Sequence, residues 1–226
     1  LPAAAHRDLF PYFAFCLPPG EQMLGYPVAG PNDDLRPGHR RYNFVWYRPA
    51  DEAGELQRLL TDETGHTHVM SIPPPLIAGG SIAEMRAHSE RVLAPQFREL
   101  VGVTKQPFLQ PIYDIESPRM AFGRVALIGD AAFVARPHVG GGVAKAAQDG
   151  MALVDALAVE SDVPSALERF ETERVAVGRR IVEQARRLGS YMRTRFDTPE
   201  ERAQAERHQT PEAVMSETAL LNFLRV

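Results

Sequence analysis

Residues 124–157 of this chain, RVALIGDAAFVARPHVGGGVAKAAQDGMALVDAL, leave few ways to fold. A continuous apolar run over 124–128 ends in Gly129-Asp130, the pattern of a strand buried on both faces. Pro137 marks a loop, and Gly140, Gly141 and Gly142 lead into an Ala-rich helix expected over 143–157. Glycines before a helix let backbone N–H groups and the positive helix end approach a ligand carrying negative charge. A carboxylate at the end of a buried strand lies where α/β sheets place ligand-binding groups, and it suits a sugar hydroxyl. The unit is therefore a candidate ligand cradle with Asp130 as acceptor. The same spacing also fits a plain strand–helix turn in which Asp130 caps backbone donors.

The flanks set the fold class. Upstream, to about residue 118, the chain is rich in proline and reads as strands. Residues 25–28 form a short strand between turns, and 42–48 (YNFVWYR) a clear one with Tyr42, Phe44 and Trp46 on one face. An amphipathic helix is expected over 82–100, with Ile82, Met85, Val92, Leu93 and Phe97 inward, and another strand over 107–114. Downstream, Asp162 and Pro164 open a long helix expected over 165–196. Its apolar stripe runs through Leu167, Phe170, Val177, Ile181, Ala185, Leu188 and Met192. Arg174, Arg179, Arg180, Arg186 and Arg187, with Glu171 and Glu183 interspersed, read as its wet face. Thr198-Pro199-Glu200 and Thr210-Pro211-Glu212 are start signals for two shorter helices.

Composition narrows the partners. Net charge is −4, with no basic tract interleaved with aromatics, so nothing points to nucleic acid. No apolar run approaches the length of a membrane span, so no membrane partner is expected. Cys16 is the single cysteine, which excludes an internal disulfide and fits a reducing, cytoplasmic setting. His66 and His68 form a close pair without a third ligand at metal spacing, so no metal site is expected.

The 124–157 stretch resembles the second flavin-binding motif of the p-hydroxybenzoate hydroxylase family, the class A FAD-dependent aromatic hydroxylases. The matching residues are Gly129-Asp130-Ala131-Ala132, Pro137, Gly140-Gly141-Gly142 and Asp149. The resemblance implies that Asp130, after Gly129, binds the ribityl chain of FAD, and that Pro137 lies beside the isoalloxazine ring and the substrate. It further implies that backbone amides at Gly142, Val143 and Ala144, after Gly140 and Gly141, meet the pyrimidine edge of the flavin. Phe133 stands where a His is common and Ala144 where an Asn is frequent, so side-chain contacts at those places are lost. Met23-Leu24-Gly25-Tyr26-Pro27-Val28, Phe44-Val45-Trp46-Tyr47-Arg48, Arg136-Pro137-His138 and Ala144-Lys145-Ala146 are similar to the 2,6-dihydroxypyridine 3-hydroxylase branch. The likeness covers roughly residues 1–195.

What the resemblance implies is an α+β chain. An antiparallel substrate-domain sheet with a helix (1–118) is followed by the C-terminal strand–loop–helix part of an FAD-binding domain (119–160) and long C-terminal helices (161–226). The implied reaction is hydroxylation of an electron-rich aromatic or N-heteroaromatic ring with FAD, NAD(P)H as co-substrate and O₂. A phenol-type ring reacts faster as its anion, so a base is expected, with His138 the candidate catalytic residue. Pro137, His138, Tyr47 and Tyr113 are the candidate substrate contacts. The family's opening GxGxxG unit and its Asp-Gly motif do not occur here, so the chain is expected to be a C-terminal part lacking the ADP-binding segment. Apolar surface left by such a loss is expected to pair with another chain, giving a homo-oligomer. A non-catalytic remnant that binds no FAD and serves as an interaction domain is the alternative. An unrelated α/β enzyme holding a phosphate is a further one, against which the missing P-loop lysine and hydroxyl argue.

Overall fold

The computed structural model describes residues 1–192, 196 and 198–218, and it divides into two compact units, Leu1–Pro111 and Ile112–Val226. In the first, the alternating residues that predict strands do form them. β1 (Ala14–Cys16), β2 (Gln22–Val28) and β3 (Arg41–Tyr47) make an antiparallel sheet in the order β1-β2-β3. Its register pairs Phe15 with Leu24 and Gly25 with Phe44. Gly25 is required by packing, because a Cβ there would lie 2.4 Å from the Tyr42 ring. Helices α1 (Ala3–Leu9), α2 (Glu55–Leu59), α3 (Gly79–Val92) and α4 (Pro95–Val103) complete the unit. Leu9, Met23, Leu93, Phe97, Leu100 and Val101 form its core, with Tyr42, Phe44 and Trp46 packed on it from one face of β3.

Two expectations fail in this unit. The helix expected over 82–100 is two helices, because Pro95 lacks a backbone N–H and forces Ala94 into an extended conformation, where α3 stops and α4 begins. Met85, Val92, Leu93 and Phe97 keep their places, since both helices turn them to the same core, whereas Ile82 is half-buried outside it. The strand expected over 107–114 finds no pairing partner, and the chain first pairs again just beyond it, at β4 (Ile115–Glu116).

The second unit is mostly helical. Its strands are two residues long: β4 pairs antiparallel with β7 (Phe133–Val134), and β5 (Ala121–Phe122) with β6 (Val125–Ala126) around Gly123. The run 124–128 is therefore one arm of a short hairpin, not a strand buried on both faces, and Val125 is 59% exposed. Its apolar character exceeds what its neighbours in this chain bury. Helix α5 (Gly142–Val159) packs on α6 (Val163–Leu188) through Ala156, Ala166, Phe170 and Val182, with Phe133 and Met120 in the same core. Asp162 caps α6 by accepting from the Ser165 amide at 3.0 Å. α6 ends at Leu188, with Gly189 as its C-cap, short of the expected Phe196; residues 193–195 lie outside the described residues. Met192, the last member of the expected stripe, is buried in the short turn that follows. α7 (Pro199–His208) and α8 (Pro211–Glu217) start as predicted, with Thr198 and Thr210 each accepting from a first-turn amide. Among the described residues no helix is long and apolar enough to cross a membrane.

Candidate functional site

The site is built around a single residue. Gly129 opens a one-turn 3-10 segment, Gly129–Ala131, with φ of 58°, a left-handed conformation that favours glycine. Space demands the same, since a Cβ would meet the Ala146 Cβ at 3.1 Å. The Gly129 N–H donates to Asp149 Oδ2 at 2.9 Å, and its carbonyl accepts from Lys145 Nζ at 2.9 Å. Lys145 Nζ also donates to Asp149 Oδ2 at 2.9 Å and lies 5.7 Å from the centre of the Phe133 ring. Arg174 Nε, arriving from α6, donates to Asp149 Oδ1 at 2.7 Å. The side chains of Lys145, Asp149 and Arg174 are 2%, 1% and 6% exposed. Asp149 thus does the internal capping that the plain-turn reading gave to Asp130. Asp130 itself is exposed and makes no hydrogen bond or ion pair among the described residues.

A second turn leads the chain into the helix that supplies Lys145 and Asp149. Pro137–Val139 is a second 3-10 turn, and Gly140, with φ of 62°, redirects the backbone into α5. The first intrahelical bond runs from the Lys145 N–H to the Gly141 carbonyl at 2.9 Å. The N–H groups of Gly142, Val143 and Ala144 precede it, and no side chain caps them. Gly142 and Val143 are exposed, and no atom lies within 4 Å of where a Gly142 Cβ would be. The turn is tied to α6 by charge: Arg136 Nε and Arg186 Nε each donate to Asp114 Oδ2 at 2.9 Å, and Arg186 Nη1 reaches Glu116 Oε1 at 2.7 Å. His138, 4% exposed, packs on Gly189, where a Cβ would come within 2.9 Å of Nδ1. Burial, reinforced by the Arg136 charge and opposed by Asp114, pushes its pKa down to about 4 and holds the ring neutral.

Gly129, Asp130, Pro137, His138 and Gly140–Gly142 with Val143 and Ala144 thus all belong to the second unit, and the Gly129 turn is bonded directly to α5. Tyr113 is half-buried in the same unit, whereas Tyr47 is a buried residue of β3 in the first, its hydroxyl pushed up to about 12 by burial and the Tyr26 charge. His68 Nε2 lies 3.1 Å from Asp62, and no group of three metal-ligating side chains occurs among the described residues. Arg174 and Glu171 are corrections to the expected wet face of α6. Arg174 is buried on Asp149, and Glu171 accepts from the Met120 and Ala121 amides at 2.6 and 2.7 Å, bonds that hold its carboxyl below the usual range. The signal for Arg174 was in the sequence: it fills the gap between Phe170 and Val177 in the apolar stripe.

Two family models tile most of the chain. "FAD binding domain-like" matches residues 1–114 and "FAD binding domain" residues 113–185. The chain belongs to the FAD-dependent aromatic hydroxylases. FAD is the cofactor of that family. Among its hydroxylase relatives, 2,6-dihydroxypyridine 3-monooxygenase of Paenarthrobacter nicotinovorans is 29% identical over 84% of this chain and 48% of its own length. The FAD-dependent urate hydroxylase of Klebsiella oxytoca is 30% identical over 81% of this chain and 49% of its own length. The solved structure of 2,6-dihydroxypyridine-3-hydroxylase from Arthrobacter nicotinovorans superposes with a TM-score of 0.77 at 27% identity, over 85% of this chain and 48% of that one. The chain spans about half the length of the curated relatives it matches.

Proposed function

We propose that the second unit carries the ribityl and isoalloxazine side of an FAD site in a monooxygenase that hydroxylates an electron-rich aromatic or N-heteroaromatic ring with NAD(P)H and O₂. The carrying observation is the division of labour between two carboxylates. Asp149 satisfies the Gly129 turn from within, which leaves Asp130 exposed, and the helix bonded to that turn begins with three uncapped amides. That donor and acceptor set fits FAD: a carboxylate accepts from a polyol hydroxyl, and amides at a positive helix end donate to an electron-rich heterocycle edge. The open space at Gly142 leaves room for close approach. FAD, when bound, supplies the redox chemistry. In this reading Asp130 orients the ribityl chain, Gly142, Val143 and Ala144 hold the pyrimidine edge, and Pro137 walls the ring.

Residues 1–118 carry the substrate side of the same proposal, residues 119–160 the flavin motif and residues 161–226 its helical support. Tyr113 and His138 are its candidate substrate contacts in the second unit, and Tyr47 is the candidate in the first. For His138, replacement by Gln in the intact enzyme should keep FAD affinity and lower the coupling of NAD(P)H oxidation to hydroxylated product by about 10²-fold, the size of one lost general base or orienting contact. Unchanged product yield would leave His138 as packing under the Pro137 turn, the role its burial favours.

Only ribityl and isoalloxazine contacts are identified in this chain, so FAD titrated into it should bind with micromolar affinity or weaker, with a change in the visible flavin spectrum. A colourless chain whose presence leaves the spectrum of excess FAD unaltered would favour the second reading, an interaction domain that binds no flavin. One observation speaks for that reading: Val125, Ile128 and, on α5, Met151 and Val154 are exposed apolar side chains.

A further inference from the structure

The charge cluster beneath Gly129 is larger than stability alone explains. Two cations and one carboxylate are enclosed there, and a further ion pair among the described residues reaches the exposed Glu173, 3.8 Å from Arg174 Nη1. Arg174 Nη2 is buried without a hydrogen-bond partner among the described residues, so the enclosed charge is not fully compensated. Lys145 moreover sits in the first turn of α5, where the helix dipole opposes a cation. Apolar side chains of similar volume would fold such a site as well or better. What apolar side chains could not do is hold the N–H and the carbonyl of one residue, in the two peptide groups that flank its Cα. Asp149 accepts from the Gly129 N–H and Lys145 donates to the Gly129 carbonyl, each at 2.9 Å, and Arg174 fixes Asp149 from a different helix.

We infer that Lys145, Asp149 and Arg174 are positioning residues. They clamp Gly129 in its left-handed conformation and thereby set the direction in which Asp130 presents its carboxylate to a polyol hydroxyl of the ligand. None of the three needs to touch that ligand. The orientation acts through one backbone: Gly129 cannot rotate without breaking a bond at each end, and Asp130 is the next residue. The clamp follows from the geometry of Gly129, while its consequence for a ligand rests on the reading of Asp130 as the ribityl acceptor.

Two measurements on the full 226-residue chain separate these parts. The first is amide hydrogen exchange by NMR, which needs no ligand. The Gly129 amide should exchange as slowly as core amides such as those of Phe133 and Ile181. Asp149→Asn should then speed Gly129 by about 10-fold or more, the size of a weakened bond to a charged group, with a smaller change at Phe133 and Ile181. If Asp149→Asn does not fold, Arg174→Lys, which keeps the cation, serves in its place. A Gly129 amide that exchanges freely in the wild-type chain, or one that speeds up in step with the whole core, overturns the clamp.

The second measurement is a double-mutant cycle on FAD affinity. Lys145→Met should weaken FAD binding while Asp130 is present and have no further effect in an Asp130→Ala background, because its action passes through Asp130. Additive effects would contradict the positioning role, since a general loss of structure lowers affinity with or without Asp130. A wild-type chain with no measurable FAD binding would sink the functional reading, and the exchange result would still decide the clamp.

Discussion

The two units solve the same problem by different means. The first is ordered by periodic apolar residues: three paired strands turn Tyr42, Phe44 and Trp46 onto a core completed by Leu93 and Phe97. The second has strands only two residues long, and the turn that carries its candidate site is held instead by Lys145, Asp149 and Arg174. Alternation tolerates substitution because burial is non-directional and spread over many side chains. A charge clamp does not, because each member leaves the others buried and unpaired.

That contrast can be broken experimentally. The largest effect is expected for Asp149→Ala, which strands two enclosed cations and should cost about 3–5 kcal/mol. Urea unfolding followed by far-ultraviolet circular dichroism would register it, while fluorescence of Trp46, the single tryptophan and a residue of the first unit, should shift less. Equal shifts in both signals would erase the difference argued here. Leu93→Ala in the first unit should cost about 2–5 kcal/mol by leaving a cavity, and it should move the Trp46 transition first. Unlike the clamp variant, it should be indifferent to salt.

A third test uses pH. His138 is neutral in the folded chain with a pKa of about 4, whereas an unfolded histidine titrates near 6.5. Above pH 6.5 both states are neutral and the group contributes nothing to the pH dependence. As pH falls from 6.5 towards 4, the unfolded state takes up a proton that the folded state refuses, so stability is lost. The loss should approach about 3 kcal/mol, at 1.36 kcal/mol per unit, and should vanish from the profile of His138→Gln. Matching profiles for the two proteins would show that the ring is open to water.

The same contrast explains how far the sequence could be read. The sheet of the first unit, the glycine turn into α5 and the caps at Asp162, Thr198 and Thr210 were legible because each rests on local chemistry within a few residues. The break at Pro95 was legible too, but the continuing apolar period on both sides masked it. Arg174 was misread because its partner, Asp149, is 25 residues away and belongs to another helix. Residues 124–128 were misread for the opposite reason. Their apolar pattern is genuine, but burial depends on neighbours that hydrophobic periodicity cannot count, and Val125 and Ile128 stay exposed. Gly129-Asp130 pointed to a ligand turn, yet nothing local told which of Asp130 and Asp149 would bond inward.

The division between those two carboxylates is the central claim, and FAD titration of the Asp130→Ala chain against wild type tests it most directly. Asp130 makes no bond within the described protein, so its removal should leave thermal unfolding unchanged. FAD affinity should fall by about 10-fold or more, the size of one hydrogen bond to a charged group. An Asp130→Ala chain that binds FAD as tightly as wild type, at unchanged stability, would remove Asp130 from the site and contradict the account.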